Sequence, residues 1–111
     1  MSTFKETEEV HKLLIESGNE QLCKRTILFV EHICKEEGIL LAEHQRLSLI
    51  SHLSAMVRRS HNGIEIEAVD KEMFNQISEY SVNISRKIVD FLPNLKEDEA
   101  YLLSIHFESA R

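Results

Sequence analysis

The sequence predicts an all-α fold, a compact bundle of about five helices. Three observations predict it: apolar residues recur at three- and four-residue steps through most of the chain, only three Gly and one Pro interrupt them, and no stretch alternates for long enough to form a sheet. With 111 residues, 42% of them hydrophobic and 29% charged, the chain has the size and composition of one folded domain around one core.

The first two predicted helices come before residue 38. Residues 4–17 carry apolar side chains at helical spacing and are followed by Gly18-Asn19, which indicates a short amphipathic leader helix. From Glu20 to Glu37 the apolar positions fall on one face, and Gly38 follows where a left-handed helix cap belongs. We therefore expect two helices joined by a tight turn.

A third helix is predicted from about Ala42 to His61, because an apolar stripe follows one side of it and Asn62-Gly63 ends it. The alternating stretch Ile64 to Glu67 is too short for a sheet, since an isolated strand would leave its backbone groups unpaired. We interpret it as an extended connection.

The last part of the chain keeps the helical rhythm. Residues 70–92 form one helix or two, because a segment rich in Ser and Asn weakens their middle. Pro93 ends that segment, and Asn94 with Glu97 three residues later has the pattern of a capped start for a last helix through Ala110. This last helix is apolar on most sides, which predicts a central place in the bundle or a subunit contact.

Several classes of function are disfavoured by composition and motifs. A net charge of −6 disfavours direct binding to nucleic acid, and no run of residues is long and apolar enough for a membrane span. Cys23 and Cys34 lack zinc-finger partners and are interpreted as core thiols. Without a glycine-rich phosphate loop or a nucleophile elbow, we expect neither an enzyme nor a cofactor, and the N-terminus gives no export signal, so the cytoplasm is the expected compartment.

Two of the six histidines lie at the edge of a predicted apolar stripe. On the third helix His52 stands in one row with Ser48 and Arg59, and on the last helix His106 shares a face with Glu99. A neutral imidazole nitrogen is a good nucleophile near pH 7, and a guanidinium forms paired hydrogen bonds to phosphate oxygens. The pattern is compatible with a phosphoryl acceptor.

Two other interpretations of these histidines stay open at the level of the sequence. A histidine at a helix edge is commonly a packing residue that is satisfied by a hydrogen bond. Alternatively, His52, His106 and Glu99 could converge on a metal ion in a small metal-dependent enzyme, although no motif with metal-ligand spacing supports that geometry.

Two segments together resemble a known family. Ser51 to Arg59, in which His52 is followed seven residues later by Arg59, and Glu97 to His106, with an acidic opening and an apolar run before the histidine, are similar to the two histidine helices of phosphotransferase-system regulation domains. The likeness spans roughly residues 20–111. Residues 1–19 are then an N-terminal leader helix, and residues 20–111 are the regulatory domain.

The resemblance implies a five-helix module, usually a homodimer, of bacterial antiterminators and transcriptional activators. In such proteins the phosphocarrier protein or a sugar-specific transporter component phosphorylates histidines at the dimer interface. By this resemblance His52 and His106 are the candidate phosphoacceptors, and Arg59 is a candidate phosphate or interface partner. Because the sequence shows one module and no nucleic-acid-binding part, we expect transcription control to pass through an unknown partner protein.

The second hypothesis is a structural protein-interaction module that keeps the fold without accepting phosphate. Family members often have an acidic residue just before the first histidine, whereas this chain has Ser51, and the proline that commonly breaks the middle helix is absent. Ser51 is the feature that favours this second hypothesis.

Overall fold

The computed structural model describes residues 6–110, which contain five α-helices, one short 3-10 turn and no β-strand. The predicted all-α bundle of about five helices is confirmed. The helices are α1 (Glu8–Glu16), α2 (Glu20–Glu37), α3 (Glu43–Asn62), α4 (Glu79–Phe91) and α5 (Glu99–Ser109), and the 3-10 turn is Lys71–Phe74. None of the helices within the described residues has the combination of length and hydropathy that crossing a membrane requires.

The ends of the first three helices follow the predicted signals. Helix α2 has the predicted bounds, and both Gly38 and Gly63 take left-handed backbone conformations, with φ of 69° and 67°, that end α2 and α3. Helix α1 begins after Thr7, whose side chain accepts a hydrogen bond from the Val10 amide at 3.2 Å. The sequence predicted a start at residue 4, which is too early, because residues 6 and 7 precede the helix; residues 4 and 5 lie outside the described residues.

The region 70–92 contains two helical pieces rather than one. After the extended connection that follows α3, Asp70 caps the 3-10 turn by accepting from the Glu72 amide at 3.1 Å. Ser78 then caps α4, because its hydroxyl accepts from the Ser81 amide at 3.2 Å. The two helical pieces are separated at residues 75–78, whereas the segment rich in Ser and Asn, residues 81–85, lies inside α4.

The predicted start of the last helix is wrong. Asn94 does not cap a helix: its φ of 63° places it in the left-handed region, directly after Pro93 has ended α4. Turns at residues 96–98 follow, and α5 begins only at Glu99. The Glu97 carboxylate accepts from Arg86 at 3.2 Å instead of reaching back to the backbone.

One hydrophobic core joins all five helices. Helix α3 contacts α1, α2 and α5, while α4 packs against α5 and α2. Cys23 and Cys34 are buried as free thiols, as predicted, and burial raises the pKa of Cys34 to about 11. The largest side chains with no more than 1% exposure include Leu14, Ile27, Leu53, Met56, Ile88, Leu103 and Phe107.

Buried serines on α3 fix its neighbours. The Ser54 hydroxyl donates to the Leu13 carbonyl of α1 at 2.6 Å, and the Ser60 hydroxyl donates to the Pro93 carbonyl at 2.5 Å. Each bond satisfies a hydroxyl that would be costly to bury alone. Helix α1 is thereby attached to the same core as the rest of the bundle, while the proposed division at residue 19 stays a prediction.

Helix α5 is buried on one side and open on the other. Leu103 and Phe107 are fully buried, Leu102 and His106 are half-buried, and Ile105 is 48% exposed. The apolar residues of α5 therefore lie on two faces: one is buried in the core, and the other, beside His106, is partly open to solvent.

We expect Phe107→Ala to lower the free energy of unfolding by about 3–5 kcal/mol, because it removes a fully buried ring and leaves a cavity. The matched control is Ile105→Ala on the same helix, for which we expect a loss of less than about 1 kcal/mol. Urea denaturation of both variants measures the difference. Equal losses in the two variants would contradict the assigned core face of α5.

Candidate functional site

His52 and His106 lie in direct contact. Nδ1 of His52 is 3.0 Å from Nε2 of His106, a hydrogen-bond distance, and the two rings meet edge to face with an interplanar angle of 82°. The rings come from α3 and α5, 54 residues apart in the chain. The sequence placed each histidine at the edge of a stripe, and the structure brings the two together.

The core positions this contact. Leu53 and Met56 beside His52, and Leu103 and Phe107 beside His106, are all fully buried, so the two helices are held face to face at this level. Each imidazole is half-buried, with one edge against the core and the other toward solvent. The pair is therefore fixed by packing on one side and open to reagents on the other.

Both imidazoles are held neutral. Burial lowers the pKa of His52 to about 4, and the neighbouring His106 and Arg59 act in the same direction. Burial also lowers the pKa of His106. At neutral pH one ring therefore donates its N–H to an unprotonated nitrogen of the other.

A second contact joins the same two helices. Arg59 donates from Nε and from Nη2 to the two carboxylate oxygens of Glu99, at 2.7 and 2.6 Å. Glu99 is only 1% exposed, so this bidentate pair satisfies a buried carboxylate. Nη1 of Arg59 makes no hydrogen bond to any residue within 6–110, so it remains available to another acceptor.

The two contacts form the rungs of a ladder between antiparallel helices. Arg59 follows His52 by seven residues on α3, and Glu99 precedes His106 by seven on α5. Seven residues are two turns, about 10 Å along each axis. The sequence placed His106 and Glu99 on one face correctly, but it did not predict that Glu99 pairs with Arg59.

An open cleft of about 800 Å³ runs along this ladder. Helix α1 forms its opposite wall with Glu9, Lys12 and Glu16, side chains that the sequence did not associate with the site. The only sequence signal for them is the polar face of the leader helix. The remaining lining residues are Leu13, Leu47, Ser48, Ser51, His52, Ala55, Arg59, Ile66, Leu102 and His106.

The other four histidines lie outside this site, and the described residues do not form the metal site that the sequence left open. His11, His32, His44 and His61 are exposed, and none of them lines the cleft. Across residues 6–110 no three His, Cys, Asp or Glu side chains are grouped as metal ligands. The Glu99 carboxylate, which would have been the third ligand, faces Arg59 instead.

Two comparisons with known proteins point to the same family. Residues 28–110 match a family model described as PRD domain. The chain is also similar to the crystal structure of a PRD-containing transcription regulator from Lactobacillus casei ATCC 334, with 30% sequence identity, a TM-score of 0.89, and coverage of 97% of this chain and 96% of that chain. No curated protein matches the sequence.

The lowered histidine pKa values predict a pH-dependent stability. Because the folded pKa lies below the unfolded value of 6.5, the unfolded chain binds more protons between pH 6.5 and 4. Stability is therefore fully present above pH 6.5 and falls as the pH drops to 4, by at most about 1.4 kcal/mol per pH unit for each proton. Chemical denaturation across this range measures the slope.

The double variant His52→Gln/His106→Gln is the reference for this slope, because it keeps Glu9, Lys12, Glu16 and the other titratable groups. We expect its stability to fall less steeply over the same pH range. Identical slopes in the two proteins would show that the pair does not titrate in this way.

Replacing Arg59 tests its ion pair with Glu99. Arg59→Met leaves the Glu99 carboxylate buried without its partner, so we expect a loss of about 3–5 kcal/mol in unfolding free energy, and Arg59→Met/Glu99→Leu should recover much of it. The control is Arg86→Met, whose partner Glu97 is exposed and for which we expect less than about 1 kcal/mol. Similar losses for the two single variants would contradict this contrast.

Proposed function

The chain belongs to the PRD domain family, and from that membership we propose that it is a phosphate-responsive regulatory module of bacterial sugar phosphotransferase signalling. His52 and His106 are the proposed phosphoacceptors, and Arg59 is the proposed phosphate partner. The observation that supports this proposal best is the 3.0 Å contact between the two imidazoles in the wall of an open cleft.

The chemistry of the pair suits a phosphoryl acceptor. Neutral imidazoles carry a lone pair, and the contact between His52 and His106 occupies only one nitrogen of each ring. Arg59 supplies a fixed positive charge nearby, because Glu99 holds its guanidinium while Nη1 remains available. Arg59 lines the same cleft as His52 and its charge acts on that imidazole, so it would attract a phosphoryl group on His52 electrostatically.

Phosphorylation would change the charge balance of the cleft. Glu9 and Glu16 line the cleft together with Lys12 and Arg59, so two acidic and two basic side chains share the cleft with the histidines. A phosphoryl group adds about −1.5 to −2 charges at pH 7. This charge repels the acidic residues of α1 and attracts Arg59, so we propose that the packing of α1 and of α5 shifts between two states.

The proposal includes partners that the family membership suggests. The phosphate donor is the phosphocarrier protein or a sugar-specific transporter component, the module acts as a homodimer in the cytoplasm, and its output partner is a protein. The similar structure belongs to a PRD-containing transcription regulator. We therefore propose that this module takes part in transcription control through that partner.

Two observations support the second candidate function, a protein-interaction module without phosphorylation. The contact between His52 and His106 satisfies the buried nitrogen of each ring, as in a packing pair, and the preceding residue Ser51 offers no carboxylate to orient the imidazole. In that case the cleft would be a docking surface whose histidines are never modified.

The experiment that tests the proposal is intact-mass analysis after incubation with phosphoenolpyruvate, the general phosphotransferase enzyme and the phosphocarrier protein. Samples stay at alkaline pH because phosphohistidine is labile in acid. We expect a mass gain of at least one phosphoryl group, lost on acidification. The double variant His52→Ala/His106→Ala should not gain this mass, while the control His44→Ala, at an exposed position of α3, should gain it in full.

A second reaction that adds sugar-specific transporter components covers the other class of donor. Sedimentation of the labelled and unlabelled chain reports the dimer equilibrium, which we expect to shift on labelling. No mass gain with either donor would reject the phosphate-responsive module in favour of the interaction module. Full labelling of the double variant would reject His52 and His106 as the acceptors.

A further inference from the structure

The contact between the two histidines uses one particular nitrogen of each ring. Nδ1 of His52 and Nε2 of His106 face each other at 3.0 Å, and each ring has its second nitrogen on the opposite side. An imidazole nitrogen attacks phosphorus through the lone pair in the plane of its ring. A nitrogen whose lone pair or N–H is engaged in the contact cannot attack, so only Nε2 of His52 and Nδ1 of His106 remain.

We propose that this contact fixes the position of phosphorylation on each ring, at Nε2 of His52 and at Nδ1 of His106, and that the partner imidazole takes up the proton of the ring that is modified. This inference rests on the proposed function for its biological donor. The chemical specificity itself follows from the contact and is testable without that donor.

The proton count of the neutral pair allows only one outward lone pair at a time. The pair holds two protons on four nitrogens, and one proton lies in the contact. If Nδ1 of His52 donates, then Nε2 of His52 has a lone pair and Nδ1 of His106 has a proton. If Nε2 of His106 donates instead, the two outer nitrogens exchange these roles. One ring is therefore the nucleophile and the other is its partner.

The transfer step balances within the pair. When Nε2 of His52 forms the N–P bond, the bond between phosphorus and the donor nitrogen breaks, and the electron pair leaves with the donor, which takes a proton from water. The positive charge that develops on the His52 ring is relieved as its Nδ1 proton passes to Nε2 of His106. His106 then releases its Nδ1 proton to water.

The same step changes which nitrogen of the partner ring, His106, carries its proton. After modification of His52, the proton of His106 lies on Nε2 and is donated back to Nδ1 of the modified ring. The hydrogen bond between α3 and α5 is kept with its direction fixed, although the cleft has gained a dianion. His106 is thus a positioning residue for His52, and by the same argument His52 is one for His106.

The experiment uses potassium phosphoramidate, a small phosphoryl donor that reacts with imidazole directly, on the full 15N-labelled chain. At short reaction times, long-range 1H–15N correlation spectra identify the nitrogen that carries phosphorus. We expect modification at Nε2 of His52, at Nδ1 of His106, or at both. Modification at Nδ1 of His52 or Nε2 of His106 would overturn the proposal, as would unmodified cleft histidines in a chain whose exposed His44 reacts.

Variants of His106 separate positioning from packing. His106→Gln places an amide near the former Nε2, so we expect His52 to react at Nε2 only, but roughly tenfold or more slowly, because an amide does not take up the proton. In His106→Ala the ring of His52 loses its partner, so we expect a mixture of the two phosphohistidine isomers. Reaction of His52 at Nε2 alone and at the unchanged rate in both variants would refute a role for His106.

The two proposals fail in distinguishable ways. If phosphoramidate modifies the expected nitrogens but the phosphocarrier protein and the transporter components leave the chain unmodified, the specificity of the pair stands and the proposed function fails. If the protein donors modify His52 at Nδ1, the proposed function stands and the specificity of the pair is refuted.

Discussion

The structure depends on the antiparallel register of α3 and α5. In this register the buried carboxylate of Glu99 meets the Arg59 guanidinium, and two turns away the two half-buried imidazoles meet each other. Burying these polar groups without partners would cost several kcal/mol each, whereas pairing offsets that cost. A shift of α5 by one turn along α3 would break both contacts at once, so the core and the candidate site require the same register.

This arrangement couples the site to the fold. The imidazoles are edge residues of the hydrophobic core, and the cleft beside them is closed on its other side by α1, which Ser54 attaches to α3 through the Leu13 carbonyl. A charge that appears on either ring therefore acts on three helices without any intervening loop. Under the proposed function, a phosphoryl group on either ring would thus have a direct path from the modified atom to the packing.

The sequence predicted the helices better than their contacts. Local signals such as Gly38 and Gly63 fix where helices end, and the structure confirms them. The prediction of a helix start at Asn94 failed because asparagine suits both a helix cap and a left-handed turn. Which of the two conformations Asn94 takes depends here on how Pro93 ends α4. Periodicity placed His52 and His106 on their faces, but it contains no information on which face meets which, so their contact and the acidic wall of α1 could not be predicted.

Burial is the main reason that both histidines stay neutral, and the register adds to it at His52. If α3 and α5 packed through the same faces but ran parallel, Glu99 would lie opposite His52. A carboxylate beside an imidazole raises the pKa of the imidazole and favours its cation. In the observed register Arg59 engages that carboxylate two turns away, and its own charge lowers the pKa of His52 further. A protonated imidazole has no lone pair to offer to phosphorus. Burial therefore keeps both histidines neutral, and the Arg59–Glu99 pair, which stabilises the fold, adds to that effect at His52.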